Sequence, residues 1–283
     1  MSNVEYQLMT IGEILEAKSR ASLVFAPVSP IEWHGPHLPV GTDGLHAHHV
    51  AVRVANEVGG VVLPTLFLGT ETVRLPGNDS EQLGALGLDD GARVVGMDLP
   101  GFPVKSLYVE ESAFGVAVRE LVRALVADSF RLIVLVNGHG AANHMRTLER
   151  IAREETRRDE VTVLSLTVWV APPPPNQSPG HATQEETAIM MAIAREHVRL
   201  DQLPPRDVPL PYAEYGTVDG PAFDGFPTKN FTVPPHADPR SATVEQGPAD
   251  ARPRSAGCRR DDQTGAGTVI AFRTPKRWLS QAL

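Results

Sequence analysis

The sequence predicts an α/β protein in which helices cover both faces of a mostly parallel central sheet. The first observation is a set of short apolar runs, each typical of a buried strand, at residues 22–28, 61–67, 131–136 and 161–169. The second is that helical patterns separate these runs. Strands that alternate with helices are joined by crossover connections, and such strands pair in parallel.

The first helix and strand have clear local signals. Thr10 and Glu13 have the spacing of a capping box, which predicts a short helix ending near Arg20. The run SLVFAPV, residues 22–28, follows and predicts the first strand. Its end leads into the polar stretch IEWHGPHLPVGTDG, residues 31–44.

The second helix is expected to begin where that stretch ends. Thr42 or Asp43 would cap it, and the glycine pair 59–60 would end it. The run VVLPTLF, residues 61–67, predicts the second strand. Pro64 weakens this strand in its middle because proline has no N–H to donate.

Regular patterns return at Ser112, after residues 68–110, which are rich in Gly and Pro and give no assignment. A helix from there places its apolar side chains on one face: Phe114, Val118, Leu121, Val122 and Leu125. RLIVLV, residues 131–136, predicts the clearest strand of the chain. A helix over 142–157 and the strand VTVLSLTVW over 161–169 complete the alternation.

Composition excludes several classes of function. A content of 42% hydrophobic and 21% charged residues is ordinary for a soluble globular protein. The net charge of −8 argues against a nucleic-acid partner, which requires a basic surface. The single cysteine, Cys258, cannot form an intrachain disulfide, and no basic, apolar signal segment is visible, so we expect a cytoplasmic protein. No apolar run reaches the roughly 18 residues of a membrane helix, so no membrane partner is expected.

Polar clusters follow three of the predicted strands. They are residues 31–44, then NGHGAANH at 137–144, and SPGHATQEET at 178–187. In open α/β sheets, ligands bind where the carboxyl ends of the strands and their loops converge. We therefore expect the three clusters to form one site.

The candidate ligands in these clusters are nitrogen and oxygen donors without a thiolate: Glu32, His34, Asp43, His139 and Glu186. Such a set suits Zn²⁺, Mn²⁺ or Fe²⁺, and it suffices for two metals that share an aspartate. Plainer roles stay open, since Asp43 is placed to cap a helix and Glu186 to favour a helix dipole. His37 and His46 are less specific than the other candidates, and His48 and His49 fit a partly exposed helix face. The sequence has no G-x-S-x-G elbow, phosphate loop or dinucleotide-binding turn.

Four motifs resemble those of the creatininase (creatinine amidohydrolase) family. They are EWHGPHLPVGTD, NGHGAAN, GHATQEET and ADPRSATVEQG, the last at residues 237–247. The resemblance covers roughly residues 8–247, so we expect one metal hydrolase domain over 1–247 and an atypical, poorly ordered tail over 248–283. It implies a three-layer α/β/α fold with a two-metal centre, in a homo-oligomer that is usually a hexamer.

The resemblance also implies roles for individual residues. Two ligand sets would share a bridging aspartate: Glu32, Asp43 and His139 for one metal, and His34, Asp43 and Glu186 for the other. A metal-bound hydroxide would be the nucleophile. His181 would move a proton to the leaving group, and Glu186 counts with it as a catalytic residue. Two Zn²⁺ ions are the favoured cofactors, with Mn²⁺ or Fe²⁺ as alternatives.

Departures from the family pattern concern the substrate. Ala141 stands where creatinine-hydrolysing members place a glutamate ligand, so that role would pass to Glu186. Trp33 replaces the commoner glutamine and would line the substrate pocket with His37 and Trp169. We therefore expect a small polar substrate other than creatinine, opened at an amide, lactam or formamide C–N bond.

Two further hypotheses remain. The same centre would also suit hydrolysis of a C–C bond in a cyclic polyol ketone of the inosose type. The third is a metal-free binding or assembly protein that keeps only the fold.

Overall fold

The computed structural model describes residues 3–74, 87–88, 94–99, 102–168, 180–219 and 230–247. Its helices are α1 (Ile11–Arg20), α2 (Thr42–Val58), α3 (Glu111–Ala127), α4 (Ala142–Glu155), α5 (Gln184–Ile193) and α6 (Tyr212–Tyr215). Its strands are β1 (Leu23–Ser29), β2 (Val61–Val62), β3 (Leu66–Phe67), β4 (Val73–Arg74), β5 (Val94–Val95), β6 (Leu132–Asn137) and β7 (Thr162–Thr167). Short 3-10 helices are Tyr6–Leu8, Arg195–His197, Leu200–Gln202, Pro239–Ser241 and Val244–Gln246.

The central sheet is parallel, as predicted. Its strand order is β2-β1-β6-β7, and β3 pairs with the carboxyl-terminal end of β1. A separate two-stranded antiparallel sheet is formed by β4 and β5. The predicted strand 61–67 is divided into β2 and β3, with Pro64 between them, because proline has no N–H for the ladder.

Helices cover the sheet on two faces, which confirms the three-layer α/β/α class. In β1, Val24 and Ala26 join a core cluster with residues of α3 and α4, whereas Phe25 joins a second cluster with residues of α2. Alternate side chains of a strand point to opposite faces. A strand buried on both faces reads as a continuous apolar run, which is why β1 and β6 are evident in the sequence.

The first helix has the predicted cap. The N–H of Glu13 donates to the Thr10 hydroxyl, and the Glu13 carboxylate accepts from the Thr10 N–H at 2.7 Å. The predicted cap of α2 is wrong by one residue, because Gly41 holds the N-cap position. The Thr42 hydroxyl donates instead to the carbonyl of Pro39 at 2.7 Å, and Asp43 lies in the first turn of the helix.

The loops after β1 and β6 touch each other at Gly138. A Cβ atom at that position would lie 2.2 Å from the backbone oxygen of Asp43, so only glycine fits there. The N–H of Gly138 also donates to the Ser29 hydroxyl at 3.1 Å, which joins the ends of the two strands. The first and second polar clusters are thereby held against each other.

The predicted role of Trp169 and the predicted character of the tail 248–283 with Cys258 concern residues outside the described ranges. Among the residues that are described, no helix combines the length and the apolar character needed to cross a membrane.

Candidate metal centre

The five predicted ligands converge at the carboxyl-terminal edge of the sheet. Glu32 and His34 lie in the extended segment after β1, Asp43 in the first turn of α2, His139 after β6, and Glu186 in the first turn of α5. The first four are at most 4% exposed. Because residues two apart in an extended segment share a face, Glu32 and His34 both point at the centre.

The first group of donors surrounds the Nδ1 atom of His139. This nitrogen is 3.0 Å from Oε2 of Glu32 and 3.1 Å from Oδ2 of Asp43. One imidazole nitrogen and two carboxylate oxygens at such spacings form a set that a divalent cation can bind.

The second group surrounds the Nε2 atom of His34. It lies 3.1 Å from Oδ1 of Asp43 and 3.7 Å from Oε1 of Glu186. The three side chains form a cluster whose potential ligand atoms all lie within 4.8 Å of one another. The two oxygens of Asp43 therefore face different histidines.

The electrostatics of the centre call for positive charge. Burial alone would lower the pKa of His34 and of His139, but the neighbouring carboxylates raise both well above the usual value. Burial would raise the pKa of Asp43, but the two histidines lower it well below its usual range. Buried imidazole and carboxylate groups at these distances are the donors that divalent metal ions take in proteins, so this donor set fits such ions. The Nε2 atoms of His34 and His139 are also buried without a hydrogen-bond partner among the described residues.

Two residues that the sequence analysis did not identify contact the first group. The Tyr108 hydroxyl donates to Oε1 of Glu32 at 2.6 Å, and Oε2 of Glu71 lies 3.5 Å from Nε2 of His139. Burial raises the pKa of both side chains. Both lie within residues 68–110, where the sequence shows no regular pattern. A usable signal exists for Glu71, since it follows β3 at the same edge of the sheet as the other acids.

His181 lies beside the second group. Its ring centroid is 4.3 Å from that of His34, and its Nε2 is 2.6 Å from the carbonyl oxygen of Trp33. Since a carbonyl only accepts, Nε2 carries the proton and Nδ1 is left as the basic atom. Burial and the neighbouring His34 lower the pKa of His181, so its imidazole is neutral at pH 7.

Glu186 is fixed by the turn that precedes its helix. Ala182 has a left-handed backbone with φ of 52°, rare for a residue with a side chain. This conformation lets the N–H of Ala182 donate to Oε2 of Glu186 at 2.6 Å. The remaining oxygen, Oε1, is the one that faces His34.

Two of the predicted pocket residues, Trp33 and His37, have different surroundings. The Trp33 indole is 8% exposed and packs on Phe102, with ring centroids 5.0 Å apart, in an apolar cluster that also holds Tyr212. Burial and the neighbouring His34 lower the pKa of His37 to about 3, and its Nε2 lies 3.0 Å from the Thr187 hydroxyl. The assignment of Trp33 and His37 to the substrate pocket stays a prediction, as does that of Trp169.

A small cavity opens between α2 and α5 beside the second group. It is about 40 Å³ and is lined by Thr42, Asp43, His46, Gly138, Gly180, Thr183, Glu185, Glu186 and Ile189. His46, one turn after Asp43, therefore lines a cavity beside the second group, although its position in the sequence is less specific than those of the other candidates. Burial and the nearby His49 lower the pKa of His46 to about 4, so its imidazole is uncharged at neutral pH.

The chain is similar to a family of known proteins. The family model Creatininase, described as creatinine amidohydrolase, matches residues 7–80 and 95–251. Creatinine amidohydrolase of Pseudomonas putida is 28% identical over 229 residues, covering 75% of this chain and 76% of that protein. The 3-dehydro-scyllo-inosose hydrolase of Thermotoga maritima is 25% identical over 139 residues, covering 49% of this chain and 37% of that protein.

Solved structures share the fold. A crystal structure of creatinine amidohydrolase superposes with a TM-score of 0.57 at 22% identity, covering 87% of this chain and 92% of that one. A structure described as creatininase Mn has a TM-score of 0.56 at 23% identity and the same coverage. A Zn–Zn form of a creatininase mutant has a TM-score of 0.55 at 23% identity, again with the same coverage.

Proposed function

This chain belongs to the creatininase family, and from that premise we propose that it is a metal-dependent hydrolase that opens a C–N bond in a small polar substrate. The bond would be that of an amide, a lactam or a formamide. The observation that carries the proposal is the position of Asp43, whose two oxygens each lie 3.1 Å from a different buried histidine. A side chain that only capped a helix would have no need of either contact.

The proposed cofactors are two divalent ions, with Zn²⁺ favoured and Mn²⁺ or Fe²⁺ as alternatives. Two sets would hold them: Glu32, Asp43 and His139, and His34, Asp43 and Glu186. When bound, such ions lower the pKa of water and polarise a substrate carbonyl. The mixture of imidazole and carboxylate donors suits all three metals.

The contribution of His181 follows from its hydrogen bond. Its Nε2 proton is held on the carbonyl of Trp33, so Nδ1 is free to take up a proton and pass it to the leaving nitrogen. Because the pKa of His181 is lowered by burial, the ring returns the proton readily. Glu186 would act with it by binding metal beside His34, whose ring centroid lies 4.3 Å from that of His181.

We propose that the substrate is not creatinine, because Ala141 lacks the carboxylate that creatinine-hydrolysing members place there. We further propose that Trp33, His37 and Trp169 shape the substrate pocket.

A second candidate is hydrolysis of a C–C bond in a cyclic polyol ketone. The similarity to 3-dehydro-scyllo-inosose hydrolase favours it. Both reactions begin with attack on a carbonyl carbon, and they differ in the atom that leaves. A metal-free assembly protein is disfavoured, since it would not need a complete set of buried ligands.

The test is a substrate panel with two readouts. The purified protein is stripped with a chelator, reloaded with Zn²⁺, Mn²⁺ or Fe²⁺, and incubated with small lactams, formamides, linear amides and cyclic polyol ketones. Release of amine together with a carboxylate supports C–N hydrolysis. A new carboxylate without amine supports the C–C reaction, and no turnover with any metal contradicts both.

Assembly and location complete the proposal. We propose a cytoplasmic homo-oligomer, a hexamer by the family resemblance, that acts on a small molecule. Light scattering of the purified protein tests the hexamer directly, because a mass near that of one chain contradicts it.

A further inference from the structure

We propose that Glu71 is a positioning residue that fixes the ring of His139, by accepting a hydrogen bond from Nε2 so that Nδ1 faces the metal. This inference rests on the proposed function, since it concerns a ligand of the metal centre.

The two nitrogens of His139 have different surroundings. Nδ1 lies 3.0 Å from Glu32 and 3.1 Å from Asp43, so it belongs to the metal-binding group. Nε2, on the other side of the ring, is buried and lies 3.5 Å from Oε2 of Glu71. An imidazole that binds a metal through one nitrogen carries a proton on the other, and that N–H requires an acceptor when it is buried. Glu71 is the carboxylate placed to accept it.

The backbone holds Glu71 in this position. Its Oε1 accepts from the N–H of Thr72, which leaves Oε2 directed at His139. The side chain is only 11% exposed, so the carboxylate is not an ordinary surface acid.

Gly96 forms the surface on which Glu71 lies. It has a φ of +54°, and a Cβ atom there would lie 2.2 Å from Cγ of Glu71 and 2.9 Å from the hydroxyl oxygen of Tyr108. The missing side chain therefore makes room for both groups. A side chain at this position would displace one or both of the groups that contact the ligands.

Tyr108 gives Glu32 the same kind of support. Its hydroxyl donates to Oε1 of Glu32 at 2.6 Å, and Gly69 and Tyr108 form a parallel bridge in which the N–H of Val109 donates to the carbonyl of Gly69 at 2.9 Å. Glu71 and Tyr108 thus come from adjacent backbone segments and contact adjacent ligands. Outer partners of this kind orient the ligands and commonly change metal affinity by about 10-fold to 100-fold.

The experiment compares the full-length protein with three variants: Glu71→Ala, Glu71→Gln and the control Glu57→Gln. Glu57 is an exposed acid on α2 that pairs with Arg53 at 3.8 Å, so its change removes the same charge away from the centre. Zn²⁺ dissociation constants are measured by competition with a chromophoric chelator, and stoichiometry by elemental analysis. Nitrogen NMR of the histidine rings in the Zn²⁺-loaded protein reports which nitrogen of His139 is protonated.

Glu71→Ala should weaken the binding of one Zn²⁺ ion by about 10-fold to 100-fold. Glu71→Gln should lose less Zn²⁺ affinity, because its amide oxygen still accepts a hydrogen bond from Nε2. The control Glu57→Gln should bind Zn²⁺ with the affinity of the wild type. In the wild type, Nε2 of His139 should be protonated and its signal should shift in both Glu71 variants. If Glu71→Ala fails to fold, the shift in the isosteric Glu71→Gln decides the question.

Two results would overturn the inference alone: unchanged affinity and an unchanged Nε2 signal in the Glu71 variants, or a wild-type protein in which Nε2 binds the metal. A wild-type protein that binds no Zn²⁺ would overturn both this inference and the proposed function. The two failures are therefore distinguishable.

Discussion

Replacing Asp43 by asparagine tests whether one side chain serves two metal ions. The change keeps the volume of the side chain and removes its charge. Each oxygen of Asp43 lies 3.1 Å from a histidine nitrogen, and the side chain is 4% exposed. Because the carboxylate lies between the two ligand groups, its loss should weaken the binding of both ions, whereas His34→Ala should weaken the binding of only one.

The magnitude follows from the distances. An ion bound by Asp43 would lie closer to its oxygen than the 3.1 Å that separates this oxygen from the histidine nitrogen. At 3.1 Å and an effective dielectric constant of about 20, one unit of positive charge attracts the carboxylate by about 5 kcal/mol, so the loss for an ion is at least of this order. Desolvation offsets part of this attraction, and breaking a buried charge pair typically costs about 3–5 kcal/mol. Since about 1.4 kcal/mol corresponds to a factor of ten, each ion should bind about two to four orders of magnitude more weakly.

The assay is metal content per chain after gel filtration in micromolar chelator. The wild type should retain two ions, His34→Ala one, and Asp43→Asn none, while thermal unfolding of the chelator-treated proteins shows that each variant is folded. Glu57→Gln serves as the surface control and should keep the wild-type content. The bridging role is refuted if Asp43→Asn keeps two ions, or loses no more metal than His34→Ala.

Three further predictions concern other parts of the molecule. His181→Gln should lower kcat by about 10²-fold to 10⁴-fold with unchanged metal content, as steady-state kinetics and elemental analysis will show; an unchanged kcat contradicts a proton-transfer role. Gly138→Ala should destabilise the protein by about 1–3 kcal/mol or more, because its Cβ meets the backbone oxygen of Asp43 at 2.2 Å, and urea unfolding measures the loss. Burial opposes the ionisation of Asp238, but hydrogen bonds and charge from Arg240 lower the pKa of this carboxyl in the folded protein. The ionised Asp238 therefore stabilises the folded state at a pH above its unfolded pKa, and this stabilisation is lost as the pH falls through the lower folded pKa. Asp238→Asn should therefore lower the free energy of unfolding at pH 7 and make it decrease less steeply between pH 7 and pH 3. The same dependence of this free energy on pH in the variant and the wild type would contradict the prediction.

The sheet and the clustering of polar residues at one of its edges could be predicted because each signal is local in sequence. β1 and β6 are buried on both faces, so each reads as an unbroken apolar run, and the polar residues after them must lie at one edge of a parallel sheet. That rule alone brings Glu32 and His139 together. The predicted N-cap of α2 is wrong by one residue, because Gly41, Thr42 and Asp43 are all residue types that accept this position. The contacts of Asp43 with the two histidines place it inside the first turn instead.

The contacts of Tyr108 and Trp33 could not be predicted because they depend on segments that are distant in sequence. Tyr108 reaches Glu32 across 76 positions of sequence, through a bridge between segments that are too short to have a pattern. The packing of the Trp33 indole on Phe102 is also a contact between distant segments, and neither residue indicates it in the sequence. Positions such as Gly96 become meaningful only when the neighbouring side chains are seen.

The hydrogen bonds to Glu32 and Glu186 give the two oxygens of each carboxylate different surroundings. One oxygen of Glu32 accepts from Tyr108, and one oxygen of Glu186 accepts from the N–H of Ala182. The other oxygen of each faces a histidine, with Oε2 of Glu32 at 3.0 Å from His139 and Oε1 of Glu186 at 3.7 Å from His34. Because each carboxylate is held through one oxygen, the oxygen that faces the histidine is already oriented. Such preorganisation would reduce the conformational entropy that these two side chains lose when a metal is taken up.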